Sequence, residues 1–181
     1  MPADPIELVA TGFNVALLRA ALKDQSLWDR NKARTSDPRS PHYGCSDIWA
    51  RYAPISEYGI EGPFKSVWYD ELGETLLKPL GLLAYDILEM VGGYELGGVL
   101  VTRIPAGGEV KPHIDRGWHA RHYADKFCLS VEANEEQTFC FESKQLVSKP
   151  GDLFFFDNSQ LHWVTNKSTS DRVSVIFCTK R

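Results

Sequence analysis

The sequence predicts a mainly β protein in which a few helices brace two packed antiparallel sheets. From Tyr94 onward, short runs rich in β-branched and aromatic residues alternate with turn residues such as those of Pro105–Gly108 and Pro150-Gly151. Eight short strands at this spacing are typical of a jelly roll or cupin-like barrel, that is, a double-stranded β-helix core. The predicted strands are residues 96–104, 109–114, 126–132, 137–142, 145–149, 152–156, 162–166 and 172–179.

The first 93 residues lack the regular succession of short strands and turns, and they are predicted to form a helical and irregular support region. Residues 14–23 carry a helical stripe of apolar side chains, and residues 71–90 form a longer helix that Pro79 kinks or restarts and Gly92-Gly93 ends. Residues 6–10 and 46–52 are predicted strands, residues 30–45 a loop, and residues 55–68 irregular.

Length and composition indicate one globular domain, residues 1–181, with its β core at residues 94–181. The chain has 181 residues, of which 43% are hydrophobic, so a substantial core is expected. A formal net charge of −4 argues against a nucleic-acid binder, which would show a basic patch or stripe. No apolar run approaches the roughly 20 residues of a membrane span, and the N-terminus does not resemble a secretory signal. The four cysteines form no CxxC pair, so we expect a cytoplasmic protein with reduced thiols.

Three residues in the β region have the composition of a metal site. His113 and Asp115 are two positions apart near the end of a predicted strand, so both side chains would point to one face. His162 begins a later strand and could close the third side. Two histidines and one carboxylate with open coordination positions are typical of non-haem Fe(II) oxygenases.

The other histidines after Asp115 are weaker candidates for metal ligation. His119 and His122 lie in an irregular segment, RGWHARHY, that follows the proposed ligands. Because the triad is already complete without them, we expect them to be solvated or to contact a substrate. The segment is predicted to be a loop at the mouth of the barrel, a lid or a substrate wall.

A predicted anion site follows the third ligand. Arg172 lies ten residues beyond His162, and Ser174 is two positions further on the same strand face. A guanidinium fork and a hydroxyl donor together suit one carboxylate. The alternative for Arg172 is a surface ion pair with Asp171 or another acid.

The segments GGEVKPHID, PGDLFFFDNSQLHW and DRVSVIF resemble the 2-oxoglutarate- and Fe(II)-dependent dioxygenases, and among them the aspartyl/asparaginyl β-hydroxylase-like group. The group's pattern is a Gly, an apolar run, Phe-Asp-(Asp/Asn)-Ser, the distal His, and an Arg ten residues later. Gly151, Phe156–Ser159, His162 and Arg172 match it in order and spacing. The animal aspartyl β-hydroxylases lack the carboxylate ligand, whereas this chain has Asp115, as the free-proline hydroxylases of the same fold do.

The resemblance implies an Fe(II)-dependent hydroxylase that uses O₂ and 2-oxoglutarate, releases succinate and CO₂, and oxidises an unactivated C–H of an amino acid, peptide or related small substrate. It also implies that Arg172 binds the distal carboxylate of 2-oxoglutarate, with help from Ser174. Lys126 is the best positional match for a second basic residue of the family's cosubstrate pocket.

Substrate-contacting residues are expected in two places. One is the segment after the metal ligands, with Trp118, His122 and Tyr123; the other is the strand of residues 46–52, where Trp49 and Arg51 share a face with Asp47. Arg103 either binds a substrate carboxylate or pairs with an acid.

The sequence alone leaves two other functions open. One is a cupin-type metal dioxygenase that does not use 2-oxoglutarate, for which the Arg172-x-Ser174 pair would be superfluous. The other is a non-catalytic metabolite-binding jelly roll, which would not need three metal ligands.

Overall fold

In a computed structural model, which describes residues 4–54, 57 and 62–181, the chain forms two antiparallel sheets flanked by helices. The described strands are β1 (Ile6–Ala10), β2 (Ser46–Tyr52), β3 (Val67–Trp68), β4 (Glu95–Ile104), β5 (Glu109–His113), β6 (Asp125–Glu132), β7 (Gln137–Phe141), β8 (Gln145–Val147), β9 (Leu153–Phe156), β10 (His162–Asn166) and β11 (Arg172–Lys180). The described α-helices are α1 (Ala16–Ala21), α2 (Glu74–Met90) and α3 (Trp118–His122), and short 3₁₀ turns cover Gln25–Leu27 and Asp70–Leu72.

The eight strands predicted after Tyr94 are all present and divide between the two sheets. The larger sheet has the order β1-β9-β6-β11-β4-β2-β3, and the smaller has the order β5-β10-β7-β8. Apart from β7 and β8, which are neighbours in the smaller sheet, successive core strands lie in alternate sheets, and the arrangement is the jelly roll that the sequence predicts. The first 93 residues contribute β1, β2 and β3 to the larger sheet as well as the two longer helices.

The outer face of the larger sheet packs against α1 and α2. Alternate residues of the central strand β11, Val173, Val175 and Phe177, point to this side and are at most 4% exposed. They meet Leu18 of α1, together with Leu76, Leu80 and Ile87 of α2. The cluster to which these residues belong contains most of the buried apolar side chains among the described residues.

The inner face of the larger sheet borders the space between the two sheets. Here the intervening positions of β11, Arg172, Ser174, Ile176 and Cys178, line a cavity. One end of that space is filled by a second apolar cluster, which contains Ile6, Ile104, Cys128, Phe139, Phe154 and Val164. Strand alternation therefore sends apolar side chains to the helices and a mixed set of polar and apolar side chains to the interior.

Several boundaries differ from the sequence-based prediction. The first helix is shorter than predicted and covers Ala16–Ala21, and α2 runs without a break through Pro79. Pro79 is the sixth residue of α2 and lies beyond the first turn, so the helix continues with one backbone hydrogen bond fewer at this position. Residues 67–68 of the segment predicted to be irregular form β3, whereas residues 55, 56 and 58–61 of it lie outside the described part of the chain. Among the described helices, none is long and apolar enough to cross a membrane.

Candidate metal centre and cavity

The two candidate histidine ligands face each other across neighbouring strands of the smaller sheet. His162 at the start of β10 is paired in register with His113 at the end of β5. Their ring centroids are 4.3 Å apart, and Nε2 of His113 lies 3.4 Å from Oδ1 of Asp115. Possible ligand atoms of the three residues all lie within 4.8 Å of one another. The fold therefore brings together three side chains whose outer members are separated by 49 positions in sequence.

Asp115 is placed by a turn and not by strand alternation, which corrects the prediction that it shares a strand with His113. β5 ends at His113, and the backbone N–H of Asp115 donates to the carbonyl oxygen of Asn158 at 3.0 Å. The side-chain amide of Asn158 in turn donates to Oδ2 of Asp115 at 3.3 Å. Asn158 belongs to the Asp157–Ser159 turn that leads into His162, so one turn positions two of the three candidate ligands.

Backbone carbonyls set the tautomer of both histidine rings. Nδ1 of His113 lies 2.8 Å from the carbonyl oxygen of Lys111, and Nδ1 of His162 lies 2.9 Å from that of Gln160. A carbonyl oxygen can only accept, so in the neutral ring Nδ1 carries the proton and Nε2 presents a lone pair. This is the tautomer in which a histidine binds a metal through Nε2.

The titration of the site also favours metal binding. Burial alone would raise the pKa of Asp115, but the neighbouring His113, His162 and Lys126 together hold it well below its usual range. Burial lowers the pKa of His162. Near neutral pH the site therefore offers an ionised carboxylate and a neutral imidazole, and this donor set fits a divalent ion such as Fe(II) with coordination positions left open.

The triad stands in the wall of a cavity of about 390 Å³ between the two sheets. Three aromatic rings, those of Phe139, Phe141 and Phe156, pack within 5.8 Å of the His162 ring. The cavity volume is at the lower end of the range for ligand pockets. Apolar packing on one side of His162 limits its motion and keeps water from that side of the site.

Arg172 and Ser174 lie in the same cavity, as the predicted anion site requires. Arg172 is 3% exposed, and its Nη1 donates to Oγ of Ser174 at 3.0 Å. Among the described residues, no carboxylate lies within 4.0 Å of the guanidinium, and the carboxylate of Asp171 accepts instead from the N–H of Ala106. The surface ion pair considered for Arg172 is therefore not formed.

Lys126 of β6 and Arg172 of the neighbouring strand β11 both line the cavity, at opposite ends of this strand pair. Lys126 is 3% exposed and pairs with Cys178 of β11, whereas Arg172 is six positions earlier on that strand. At roughly 3.3 Å per residue, their Cα atoms are separated by about 20 Å along β11. Lys126 also pairs with Phe156, just before the turn that carries Asn158, and it lowers the pKa of Asp115 by its charge. Lys126 thus lies near the triad, and Arg172 lies further along β11.

Only two of the five residues predicted to contact the substrate line the cavity. Trp49 and Arg51 of β2 line it, but Trp118, His122 and Tyr123 do not. Trp118 stacks on His122 at 4.5 Å, and the buried Tyr123 donates its hydroxyl hydrogen to Glu95 at 2.8 Å. Burial and Glu95 raise the pKa of Tyr123 to about 12.

The reason for this difference is that residues 118–122 form the short helix α3, and a helix turns successive side chains in different directions. His119 is the member of α3 that lines the cavity, together with Ala120. Its Nε2 accepts the backbone N–H of Gly98 at 3.1 Å. Burial, and then the charge of Lys126, lower the pKa of His119 to about 3.

The sequence reasoning missed Arg34 and His42, which the loop of residues 30–45 contributes to the cavity wall. Nε of Arg34 donates to Oδ2 of Asp47 at 2.6 Å, and its Nη2 donates to Thr102 Oγ1 at 2.7 Å. His42 lies edge-on to His113 with ring centroids 4.8 Å apart. No local pattern marks these residues, since their partners are distant in sequence.

Arg103 has no carboxylate within 4.0 Å in the described part of the chain, and it does not face the cavity. Its guanidinium lies 4.2 Å from the ring centroid of Trp28, and Nη1 donates to Oε1 of Gln25 at 2.9 Å. Because Arg103 points to the helix side of β4, it does not line the cavity. Strand alternation accounts for this, since its neighbours Thr102 and Ile104 face the interior.

Three solved structures share the overall fold at low sequence identity. A Pseudomonas putida prolyl-4-hydroxylase aligns with a TM-score of 0.56 and 13% identity, covering 99% of this chain and 94% of its own. The viral collagen prolyl hydroxylase of Paramecium bursaria Chlorella virus-1 aligns with a TM-score of 0.54 and 13% identity, covering 97% and 95%. A 2OG-Fe(II) oxygenase family oxidoreductase from Burkholderia pseudomallei aligns with a TM-score of 0.54 and 14% identity, covering 77% and 69%.

No curated protein sequence matches the chain. Residues 82–181, in contrast, match the family described as aspartyl/asparaginyl β-hydroxylase. The match spans more than half of the chain and includes His113, Asp115, His162 and Arg172. The chain belongs to the aspartyl/asparaginyl β-hydroxylase family and is a 2-oxoglutarate-dependent hydroxylase.

Proposed function

We propose that the protein uses Fe(II), 2-oxoglutarate and O₂ to hydroxylate an unactivated C–H bond of an amino acid, peptide or related small substrate, with release of succinate and CO₂. The observation that carries this proposal is the convergence of His113, Asp115 and His162 in a cavity that also contains a buried arginine without a carboxylate partner among the described residues.

In this proposal His113, Asp115 and His162 hold the iron on one face. The two Nε2 lone pairs and the ionised carboxylate supply three donors, and the open positions remain for cosubstrate and O₂. Bound iron, with 2-oxoglutarate and O₂, supplies the oxidising chemistry that replaces C–H with C–OH. The protein contributes ligand placement, charge balance and exclusion of water.

Arg172 and Ser174 are proposed to bind the distal carboxylate of 2-oxoglutarate. The Nη1–Ser174 contact orients the guanidinium, and a planar carboxylate would match its remaining donors. A buried cation without a counter-charge is costly, and the dianionic cosubstrate would offset that cost.

Lys126 is proposed to face the other end of the cosubstrate. It lies near the triad and has no described carboxylate within 4.0 Å. Lys126, whose charge already acts on Asp115, would attract the carboxylate of 2-oxoglutarate that lies nearer the iron. Arg172 and Ser174 would bind the distal carboxylate.

The cupin-type alternative, a metal dioxygenase that does not use 2-oxoglutarate, gives no role to the buried Arg172-Ser174 pair. The test is a succinate-release assay of purified protein with Fe(II), 2-oxoglutarate and ascorbate against free amino acids, short peptides and nucleosides. Substrate-dependent succinate release is expected. Full turnover of a substrate without any added or co-purified 2-oxo acid would favour the alternative. N-oxalylglycine, which mimics the chelating head and the distal carboxylate, is expected to inhibit competitively with 2-oxoglutarate.

A further inference from the structure

We infer that the primary substrate is a small molecule with a free carboxylate, which Arg51 and Arg116 bind at the mouth of the cavity. This inference rests on the proposed function, because it assigns Arg172 and Lys126 to the cosubstrate. The inference concerns the remaining cations of the cavity wall, which the cosubstrate would not contact.

The cavity wall is strongly positive although the whole chain is acidic. The lining contains Arg34, Arg51, Arg116, Lys126 and Arg172, and Asp115 is its only carboxylate among the described residues. The chain as a whole has a formal net charge of −4. Positive charge is therefore concentrated in the cavity, and such a field favours an anionic ligand.

Known partners account for only some of this positive charge. Asp47 neutralises Arg34 through two hydrogen bonds of 2.6 and 3.1 Å. A dianionic 2-oxoglutarate would balance Arg172 and Lys126, and Asp115 would balance part of the charge of a divalent ion. Arg51 and Arg116 remain, and neither has a described carboxylate within 4.0 Å.

Arg51 is the better anchored of the two remaining cations. Its Nη2 donates to the carbonyl oxygen of Leu96 at 3.1 Å, and its guanidinium carbon lies 5.7 Å from the ring centroid of Trp68. These contacts hold the side chain, but its buried Nε–H has no acceptor within the described part of the chain. Burial lowers the pKa of Arg51, and Tyr85, Tyr123 and the carboxylate of Glu95 offset only part of this effect. A substrate carboxylate would supply the missing acceptor and a closer counter-charge than Glu95.

Arg116 is the second cation of the proposed site. It follows Asp115 directly, is exposed, and lines the cavity. An exposed cation contributes less binding energy than a buried one and acts mainly by attracting the anion. Arg51 therefore fixes the substrate carboxylate, and Arg116 increases the rate at which it arrives.

The space available selects a small substrate. The cavity of about 390 Å³ must also contain 2-oxoglutarate and the metal. The wall beside Arg51 is formed by flat rings, since Tyr52 packs at 4.7 Å on Trp49 and at 4.6 Å on His119. A compact carbon skeleton against these rings, with its carboxylate at Arg51, fits such a wall better than a long polymer.

The test is anaerobic calorimetry on the full chain loaded with Fe(II) and 2-oxoglutarate. The probes are the free amino acids and short monocarboxylates, each compared with its own carboxamide, and phosphate monoesters of similar size. The variants are Arg51→Gln and Arg116→Gln, with Arg121→Gln as the control. Arg121 is an exposed cation of α3 that does not line the cavity.

At least one carboxylate probe is expected to bind, and its carboxamide is expected to bind much more weakly. Arg51→Gln should weaken the carboxylate probe about 30-fold or more, as loss of a buried charge partner does. Arg116→Gln should weaken it less than 10-fold, mainly through association rate and more so at low salt. Arg121→Gln should match wild type.

Three results would overturn the inference: no carboxylate probe binds, carboxylate and carboxamide bind equally, or a phosphate monoester is preferred. Equal carboxylate affinity in wild type and Arg51→Gln would also overturn it. Binding of 2-oxoglutarate itself is measured first. If that binding fails, the proposed function fails, whereas normal 2-oxoglutarate binding with any of these results refutes only the substrate class.

Discussion

Asn158 holds Asp115 at two points: its carbonyl oxygen accepts the Asp115 N–H at 3.0 Å, and its amide donates to the Asp115 carboxylate at 3.3 Å. The second contact orients the carboxylate toward the histidines. Partners of this kind typically contribute 10- to 100-fold to metal affinity. Asn158→Ala should therefore weaken Fe(II) binding by about 10- to 100-fold in anaerobic calorimetry.

Ser159→Ala is the matched control for the Asn158 prediction, because Ser159 lies in the same turn and hydrogen-bonds Asp157 instead. It should leave Fe(II) affinity within about twofold of wild type. Equal losses in both variants would show that the turn as a whole, and not the Asn158 amide, sets the affinity.

Removal of either histidine from the triad should abolish tight Fe(II) binding and turnover, because two protein ligands rarely hold a labile ion. His113→Ala and His162→Ala are compared with His122→Ala, since His122 lies outside the cavity lining. Asp115→Ala should also abolish hydroxylation. Wild-type iron affinity in both histidine variants, measured by calorimetry, would refute the triad.

Arg172 variants separate cosubstrate recognition from metal binding. Loss of one partner of a buried charge pair costs on the order of 2–5 kcal/mol, so Arg172→Ala should weaken 2-oxoglutarate by roughly 30-fold to several thousand-fold. Arg172→Lys keeps the charge but loses the planar guanidinium, which can donate to both oxygens of a carboxylate. This variant should have a higher KM for 2-oxoglutarate and should bind Fe(II) as wild type does. The measurement is an anaerobic titration followed by the absorbance of the iron chelate.

Arg103→Gln is the control for Arg172, because it removes a cation from a neighbouring strand on the face away from the cavity. It should leave the 2-oxoglutarate titration unchanged. If Arg172→Ala binds 2-oxoglutarate as tightly as wild type, the proposed cosubstrate pocket is wrong.

His119 should make the protein without bound metal sensitive to acid. Its pKa is lowered from 6.5 to about 3 in the folded protein, so the unfolded chain binds a proton that the folded one does not. Its contribution to stability is therefore complete above pH 6.5 and is lost as the pH falls from 6.5 toward 3. His119→Asn should reduce the slope of unfolding free energy against pH in this range by up to about 1.4 kcal/mol per pH unit.

The slope is measured by urea unfolding at a series of pH values between 4 and 7. His122→Asn, which changes a histidine of the same helix outside the cavity, is expected to have little effect on it. His42, whose pKa burial lowers to about 2, remains in both variants and keeps part of the slope. An unchanged slope in His119→Asn would contradict the assignment of His119 as a buried neutral histidine.

The sequence was sufficient to predict the double-stranded β core, because alternation and turn residues are local properties. For the same reason the predicted shared face of Arg172 and Ser174 agrees with the structure. The two residues are two positions apart on β11, and both line the cavity. His113 and His162 could be chosen as a pair because each stands at the end of a predicted strand.

Side chains carried by short irregular segments were predicted less well. Residues 118–122 were expected to be a loop, yet they form a helix that points His119, and not Trp118 or His122, to the cavity. Arg34 and His42 gave no signal, because the contacts that place them, with Asp47, Thr102 and His113, join three separate parts of the chain. Such placements depend on tertiary packing and leave no periodicity to detect.

The ion pair between Arg34 and Asp47 ties the loop of residues 30–45 to the sheet, and this has a consequence for how the protein can diversify. All three proposed metal ligands and Arg172 lie within residues 82–181, whereas Arg34, His42, Trp49 and Arg51 come from the first 54 residues. The proposed metal centre and part of the proposed substrate site are thus encoded in separate stretches of the gene. Exchange of the first stretch between relatives is a route to a new substrate that leaves the proposed metal ligands unchanged.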